Sequence, residues 1–190
     1  MKLLLRTLLI FSITAVASSV RAQGAAGGFQ ITKINKNMIT SPQYSYVGGE
    51  QITTNQRDLW LAIDTEFNST VDVADDVTFK YFVLVGGKVL TGEVTHMNVM
   101  AGRGLRSVMF VSPKVLLRFN SGRPVTVNTV QNIAVQIVLQ GAVKDEANLV
   151  RAPAGWYTSA PQVAGLLLNK NDTPFAPLYW DHYEQIKPAH

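Results

Sequence analysis

The sequence predicts an all-β protein: an antiparallel Greek-key sandwich, immunoglobulin-like, with one short crossover helix. Three observations carry that expectation: several short segments in which apolar and polar residues alternate, turn signals between them, and almost no helical periodicity outside one stretch. The 190 residues include no cysteine, so the disulfide of many immunoglobulin domains is absent and folding must rest on apolar burial. A jelly roll or an open barrel would satisfy the same pattern of strands.

The elements follow in chain order. Phe29-Gln-Ile-Thr-Lys-Ile34 is near-alternating and reads as a strand, followed by a long polar loop through Pro42 and Gly48-Gly49. Leu59, Leu61 and Ile63 share one face of a second strand and Trp60, Ala62 and Asp64 the other. Val77, Phe79, Tyr81, Val83 and Val85 line one face of a third, Gly86-Gly87 supplies the positive φ of a tight turn, and Lys88 to Met97 returns. The chain is expected to turn again at Ala101-Gly-Arg-Gly104, with a further strand from Leu105 to Val111. Ser112 as N-cap, Pro113 in the first turn and Gly122 just past the end predict the crossover helix. Ile133, Val135, Ile137 and Leu139 then alternate with Ala134, Gln136, Val138 and Gln140, the pattern of a central strand. Leu166-Leu-Leu168 is a last apolar run, Asn169 to Pro174 a turn cluster, and Leu178 to Ile186 an element of open type, for which a helix is one reading.

Ahead of these elements stand the cations Lys2 and Arg6, an apolar run from Leu8 to Ala17, and Val20-Arg21-Ala22 as a small-residue cleavage signal. The expected organisation is a bacterial signal peptide over residues 1–22, a flexible leader over 23–28, and a single β-sandwich domain over 29–190. The apolar run falls short of the roughly 20 residues that cross a bilayer, so no stable membrane span is expected in the mature chain. With no cysteine there is no lipid anchor either. The expected location is the periplasm, the outer-membrane surface or the extracellular space. Three of the 17 Lys and Arg lie in the signal, which leaves 14 against 13 Asp and Glu. A near-neutral chain with scattered cations argues against nucleic acid as a partner.

Chemistry-bearing patterns are sparse. No Gly-x-Ser-x-Gly turn is present, and His96, His182 and His190 have no motif around them. His96 falls with Leu90 and Val94 on one strand face, as an ordinary strand residue would. Asp181-His182 with Glu184 lacks the spacing of a metal site, and Asp72 with Asp75-Asp76 lacks the glycine and closing glutamate of a calcium loop. Asp64 and Glu66 share the Trp60 face, roughly 6 to 7 Å apart at the backbone, a separation open to glycoside hydrolysis but equally that of a polar solvent face. Asn68-Ser-Thr70 and Asn171-Asp-Thr173 match a glycosylation acceptor, and in a bacterial chain read as two polar turns. No catalytic residue, metal site or cofactor is expected, and the chain is not expected to be an enzyme.

The aromatic residues are the stronger signal. Trp156 and Tyr157 lie in a Pro/Gly-bounded loop, and Tyr179, Trp180 and Tyr183 lie near the C-terminus. That density builds either core, or a protein contact patch, or a sugar-stacking platform. An open sheet edge is a further route to a protein partner. The cysteine-free exported sandwich, with its tail Asn171-Asp-Thr-Pro-Phe-Ala-Pro-Leu-Tyr-Trp-Asp-His-Tyr183, resembles the small immunoglobulin-like envelope proteins found beside type IV pilus assembly genes in mucin-degrading gut bacteria. The resemblance implies a non-catalytic role in pilus assembly, adhesion or host contact. It implies no catalytic residues. The signal ends in a conventional cleavage sequence, unlike that of pilin subunits, which keep a long apolar N-terminal helix. The expected function is therefore a binding or assembly role in the envelope, with an envelope or pilus protein, or a second copy of the chain, as partner. The alternatives are a carbohydrate-binding module that takes a glycan on its exposed aromatics, and an unrecognised hydrolase.

Overall fold

The computed structural model describes residues 27–44, 48, 58–179 and 181–188. The expected signal peptide, most of the leader and Trp180 lie outside the described residues. Seven strands and one helix follow: β1 (Phe29–Thr40), β2 (Leu59–Val85), β3 (Lys88–Val111), α1 (Pro113–Phe119), β4 (Val130–Leu139), β5 (Ala142–Asn148), β6 (Gln162–Ala164) and β7 (Leu167–Asn169). The fold is all-β with one short helix, as the alternation predicts.

The strands are longer than the sequence suggests. β2 has 27 residues and would span roughly 90 Å if straight, far beyond one layer of a small domain. It bends instead. Register shifts between Phe67 and Ser69 and between Ser69 and Val73 mark bulges in its pairing with β3, and Gly104 on β3 takes a φ of 69° beside them. The expected turn at 101–104 is thus a bulge within one continuous strand. The acids Asp72, Asp75 and Asp76, expected between strands, lie inside β2. Asn68-Ser-Thr70, expected as a turn, also lies on the bulged part of β2, where the Asn68 side chain accepts from the Gly104 amide at 3.0 Å. Alternation sees period two and is blind to a bulge that restores the same faces afterwards.

The bend creates two layers from one seven-stranded sheet of order β5-β4-β2-β3-β6, with β1 on β2 and β7 on β3. We call residues 59–67 of β2 with 105–111 of β3, β1 and β7 the first layer. Residues 77–85 of β2 with the start of β3, β4, β5 and β6 form the second. Their inner faces meet: the Phe67 and Phe79 rings lie 4.8 Å apart, and the Tyr81 hydroxyl donates to Ser107 across the core at 2.9 Å. Val77, Phe79, Tyr81, Val83 and Val85 are fully buried, as are Ile133, Val135 and Ile137 opposite them. One pairing departs from the antiparallel expectation: β6 runs parallel to β3.

The crossover helix caps one end. The Ser112 hydroxyl accepts from the Val115 amide, Pro113 stands in the first turn, and Gly122 follows with φ 72°. The helix carries the chain from the end of β3 in the first layer to β4 in the second, and Leu116 is buried beneath it. Its end sits on the Gly86-Gly87 turn. A Cβ at Gly86 would lie 2.1 Å from the Phe119 carbonyl oxygen, with φ at +57°, whereas Gly87 has open space. Gly86→Ala is therefore expected to lower the unfolding free energy by about 2–3 kcal/mol, and Gly87→Ala by about 1 kcal/mol, in urea titrations.

After β7 the chain, from Lys170 onward, lies across the outer face of the first layer as a strap. It is neither a helix nor a named strand. Phe175 stacks on Phe110 at 5.0 Å and meets Trp60 edge-on at 5.8 Å. The Lys170 ammonium, buried at 5% exposure, donates to the Ala176 carbonyl at 2.6 Å and folds the start of the strap. Further on, the Glu184 amide donates to the Arg106 carbonyl, the Met97 amide to Gln185, and the Lys187 amide to Thr95. The strap thereby covers part of the β3 edge that β6 and β7 leave open.

Candidate functional site

On the outer face of the first layer, register alone sets the residues out in rungs. β1 pairs Lys33 with Glu66, Asn35 with Asp64, Asn37 with Ala62 and Ile39 with Trp60. β3 continues each rung, with Arg106 opposite Glu66, Val108 opposite Asp64 and Phe110 opposite Ala62. The strap crosses these rungs and leaves a groove of about 800 Å³ between itself and the edge strand β1. Ile39, Ala62, Phe110, Phe175 and Leu178 give it an apolar floor, and Asp64, Asp181, His182, Tyr179 and Tyr183 line its polar side.

Asp64 is 9% exposed, so the open solvent face predicted for Asp64 and Glu66 is not what forms. Arg106 clasps both acids, at 3.3 Å from Asp64 Oδ2 and 3.6 Å from Glu66, and also meets His182. Burial raises the Asp64 carboxyl above its ordinary range, and the Arg106 guanidinium pulls it partly back. Its second oxygen, Oδ1, is shut off from water with no hydrogen-bond partner, an uncommon and costly arrangement. Tyr183 packs partly buried beside the floor, and burial pushes its phenol up to about 12. Tyr179 is the opposite case: it is 61% exposed and holds a φ of +56°, a left-handed conformation that a bulky residue seldom adopts without a functional reason.

The other predicted aromatics are elsewhere. Trp156 and Tyr157 form a turn of 3-10 helix on the outer face of the second layer. Tyr157 stacks on Phe82 at 3.9 Å; its hydroxyl donates to Glu146 at 2.9 Å and accepts from Gln136 at 2.8 Å. The Trp156 indole donates to Asn148 at 2.7 Å. Both rings are committed to packing and to hydrogen bonds within the domain. The structure brings Tyr179 and Tyr183 together and sets Trp156 and Tyr157 on the opposite side of the sandwich.

Beneath the strap lies a buried polar relay. His96 is fully buried with Leu90 on the core face, as its strand position predicts. Its Nδ1 is 2.9 Å from the Glu184 carbonyl and its Nε2 is 2.7 Å from the Ser107 hydroxyl. A carbonyl only accepts, so Nδ1 carries the proton and Nε2 takes the Ser107 proton, while Ser107 accepts from Tyr81. Burial lowers the His96 pKa to about 4, which keeps the ring neutral. With both nitrogens spent inside the core, the relay reaches no groove and presents no nucleophile. It anchors the strap that forms one wall of the site.

Among the described residues no cluster of His, Asp and Glu is placed to hold a metal, and no helix is long and apolar enough to cross a membrane. A model of a family defined by likeness to a founding member matches residues 20–190. The chain belongs to this family. A solved protein of Akkermansia muciniphila superposes with a TM-score of 0.69, covering 85% of this chain and 93% of that one at 22% identity, a likeness that shows the shared fold. No curated protein matches the chain.

Sequence reasoning missed Arg106, Phe110 and Phe175. The first two were within reach: alternation from Leu105 to Val111 puts Arg106, Val108 and Phe110 on one face, and only the pairing with β2 tells which face. Phe175 had no signal, because the strap has no periodicity.

Proposed function

We propose that the protein is an exported, non-catalytic component of the cell envelope, associated with type IV pili, that binds a protein partner on the outer face of its first layer. The observation that carries the reading is the family match over residues 20–190. Its solved structural relative comes from a mucin-degrading gut bacterium, in keeping with the resemblance drawn from the sequence. The groove supports a binding role: an apolar floor beside an edge strand, a buried carboxylate with an unpaired oxygen, and an exposed tyrosine in a strained backbone conformation are the marks of a recognition surface. A sugar platform needs coplanar exposed rings, and Trp156 and Tyr157 are occupied by contacts within the domain.

Fractionation of the native cell followed by crosslinking tests this reading. The mature chain is expected in an envelope fraction, joined to a pilus or envelope component. Recovery in the cytoplasm, or crosslinks to no envelope protein, would overturn it, and glycan-array binding by the purified mature chain would favour the carbohydrate-binding alternative.

A further inference from the structure

Resting on the reading of this groove as a protein-binding surface, we infer that its occupant is an extended peptide segment with a lysine or arginine between apolar side chains, the cation meeting Asp64. Charge complementarity argues for the cation. The groove lining includes two carboxylates, Asp64 and Asp181, and no Lys or Arg. Arg106 lies below, engaged with Asp64 and Glu66, and Lys33 stands in the rung beyond Asp64, outside the lining. Arg106 satisfies one oxygen of Asp64 and leaves Oδ1 without a donor. Rotation about χ2, which is soft for aspartate, turns that oxygen toward the groove. An ammonium or guanidinium arriving there forms a charge-assisted hydrogen bond in a largely water-excluded place, where such a bond is strong.

Geometry argues for an extended segment. β1 is the edge strand along this side of the groove, contributing Asn37, Ile39 and Thr40 to its wall, and it pairs with β2 alone among the described strands. A strand laid beside it places alternate side chains over the apolar floor and the carboxylate. A sugar fits less well, because Phe110 and Phe175 stack face to face at 5.0 Å and Trp60 meets Phe175 edge-on, leaving exposed Tyr179 as the free ring.

The test uses the full mature chain and three capped octapeptides of alternating valine and threonine that differ at one central residue: lysine, norleucine or glutamate. Titration followed by tyrosine and tryptophan fluorescence is expected to show the lysine peptide binding at least about tenfold more tightly than either twin. Asp64→Asn, nearly isosteric, should erase that preference without lowering the unfolding midpoint. Tyr179→Ser, at an exposed position, should weaken lysine-peptide binding while the protein stays folded. Equal affinity for the three peptides, preference for the glutamate twin, no binding, or an unchanged lysine preference in Asp64→Asn would overturn the inference. Its failure is distinguishable from failure of the functional reading: crosslinks to a pilus component with no lysine preference would sink the inference alone, and a lysine preference without envelope crosslinks would sink the pilus assignment alone.

Discussion

His96→Ala is expected to lower the unfolding free energy by about 3 kcal/mol and to loosen the strap. The substitution opens a cavity against Phe79, whose ring lies 5.4 Å away edge-on, and leaves the Glu184 carbonyl and the Ser107 hydroxyl without partners. Hydrogen exchange should show the signature: faster exchange at the Glu184 and Lys187 amides, which bond to Arg106 and Thr95, than a uniform loss of stability would give. The pH dependence has a definite sign. Because the folded-state pKa of His96 falls from 6.5 to about 4, the unfolded chain binds the proton first, and stability is lost as pH drops from about 6.5 to about 4. Asp64 and Glu184, both raised by burial, act the other way, since the folded chain holds their protons more tightly. The isolating comparison is His96→Gln, whose amide can keep a donor toward Glu184 and an acceptor toward Ser107 without titrating. Its urea midpoint should fall less between pH 7 and pH 4 than that of the wild type. A parallel fall in both would show that His96 is not the group responsible.

Phe79→Ala should cost more still, about 3–5 kcal/mol. The ring is fully buried and sits where the layers meet, 4.8 Å from Phe67, 6.5 Å from Tyr81 and 5.4 Å from His96. No neighbour can fill the void without leaving its rotamer, because Phe67 belongs to the first layer and Tyr81 to the second. Phe82, the stacking partner of Tyr157 on the outer face of the second layer, is the control. Phe82→Ala removes a partly exposed ring and should cost about half as much by the same measurement.

The contrast between these phenylalanines was legible in the sequence, since Phe79 shares the alternating face with Val77 and Tyr81 while Phe82 falls on the other. So were the Gly86-Gly87 turn and the Ser112-Pro113 start of the helix, because turn and cap chemistry are local. The union of four expected strands into β2 and β3 was not legible: a bulge at Ser69 costs nothing in pattern and is fixed by pairing with residues more than thirty positions away. The site was half legible. Tyr179 and Tyr183 stood out by composition, yet the groove needs Asp64, Phe110 and Phe175 from three separate segments, and only the register of β2 with β3 and the path of the strap bring them together. Trp156 and Tyr157 have the same aromatic composition and the opposite fate, because Glu146, Gln136 and Asn148 happen to face them.

Site-resolved photocrosslinking in the native cell tests the central claim most directly, with a photoreactive amino acid placed at Tyr179 in one strain and at Trp156 in another. The account predicts an adduct with an envelope or pilus protein from position 179 and none from position 156. An adduct from position 156 with none from position 179 would contradict it.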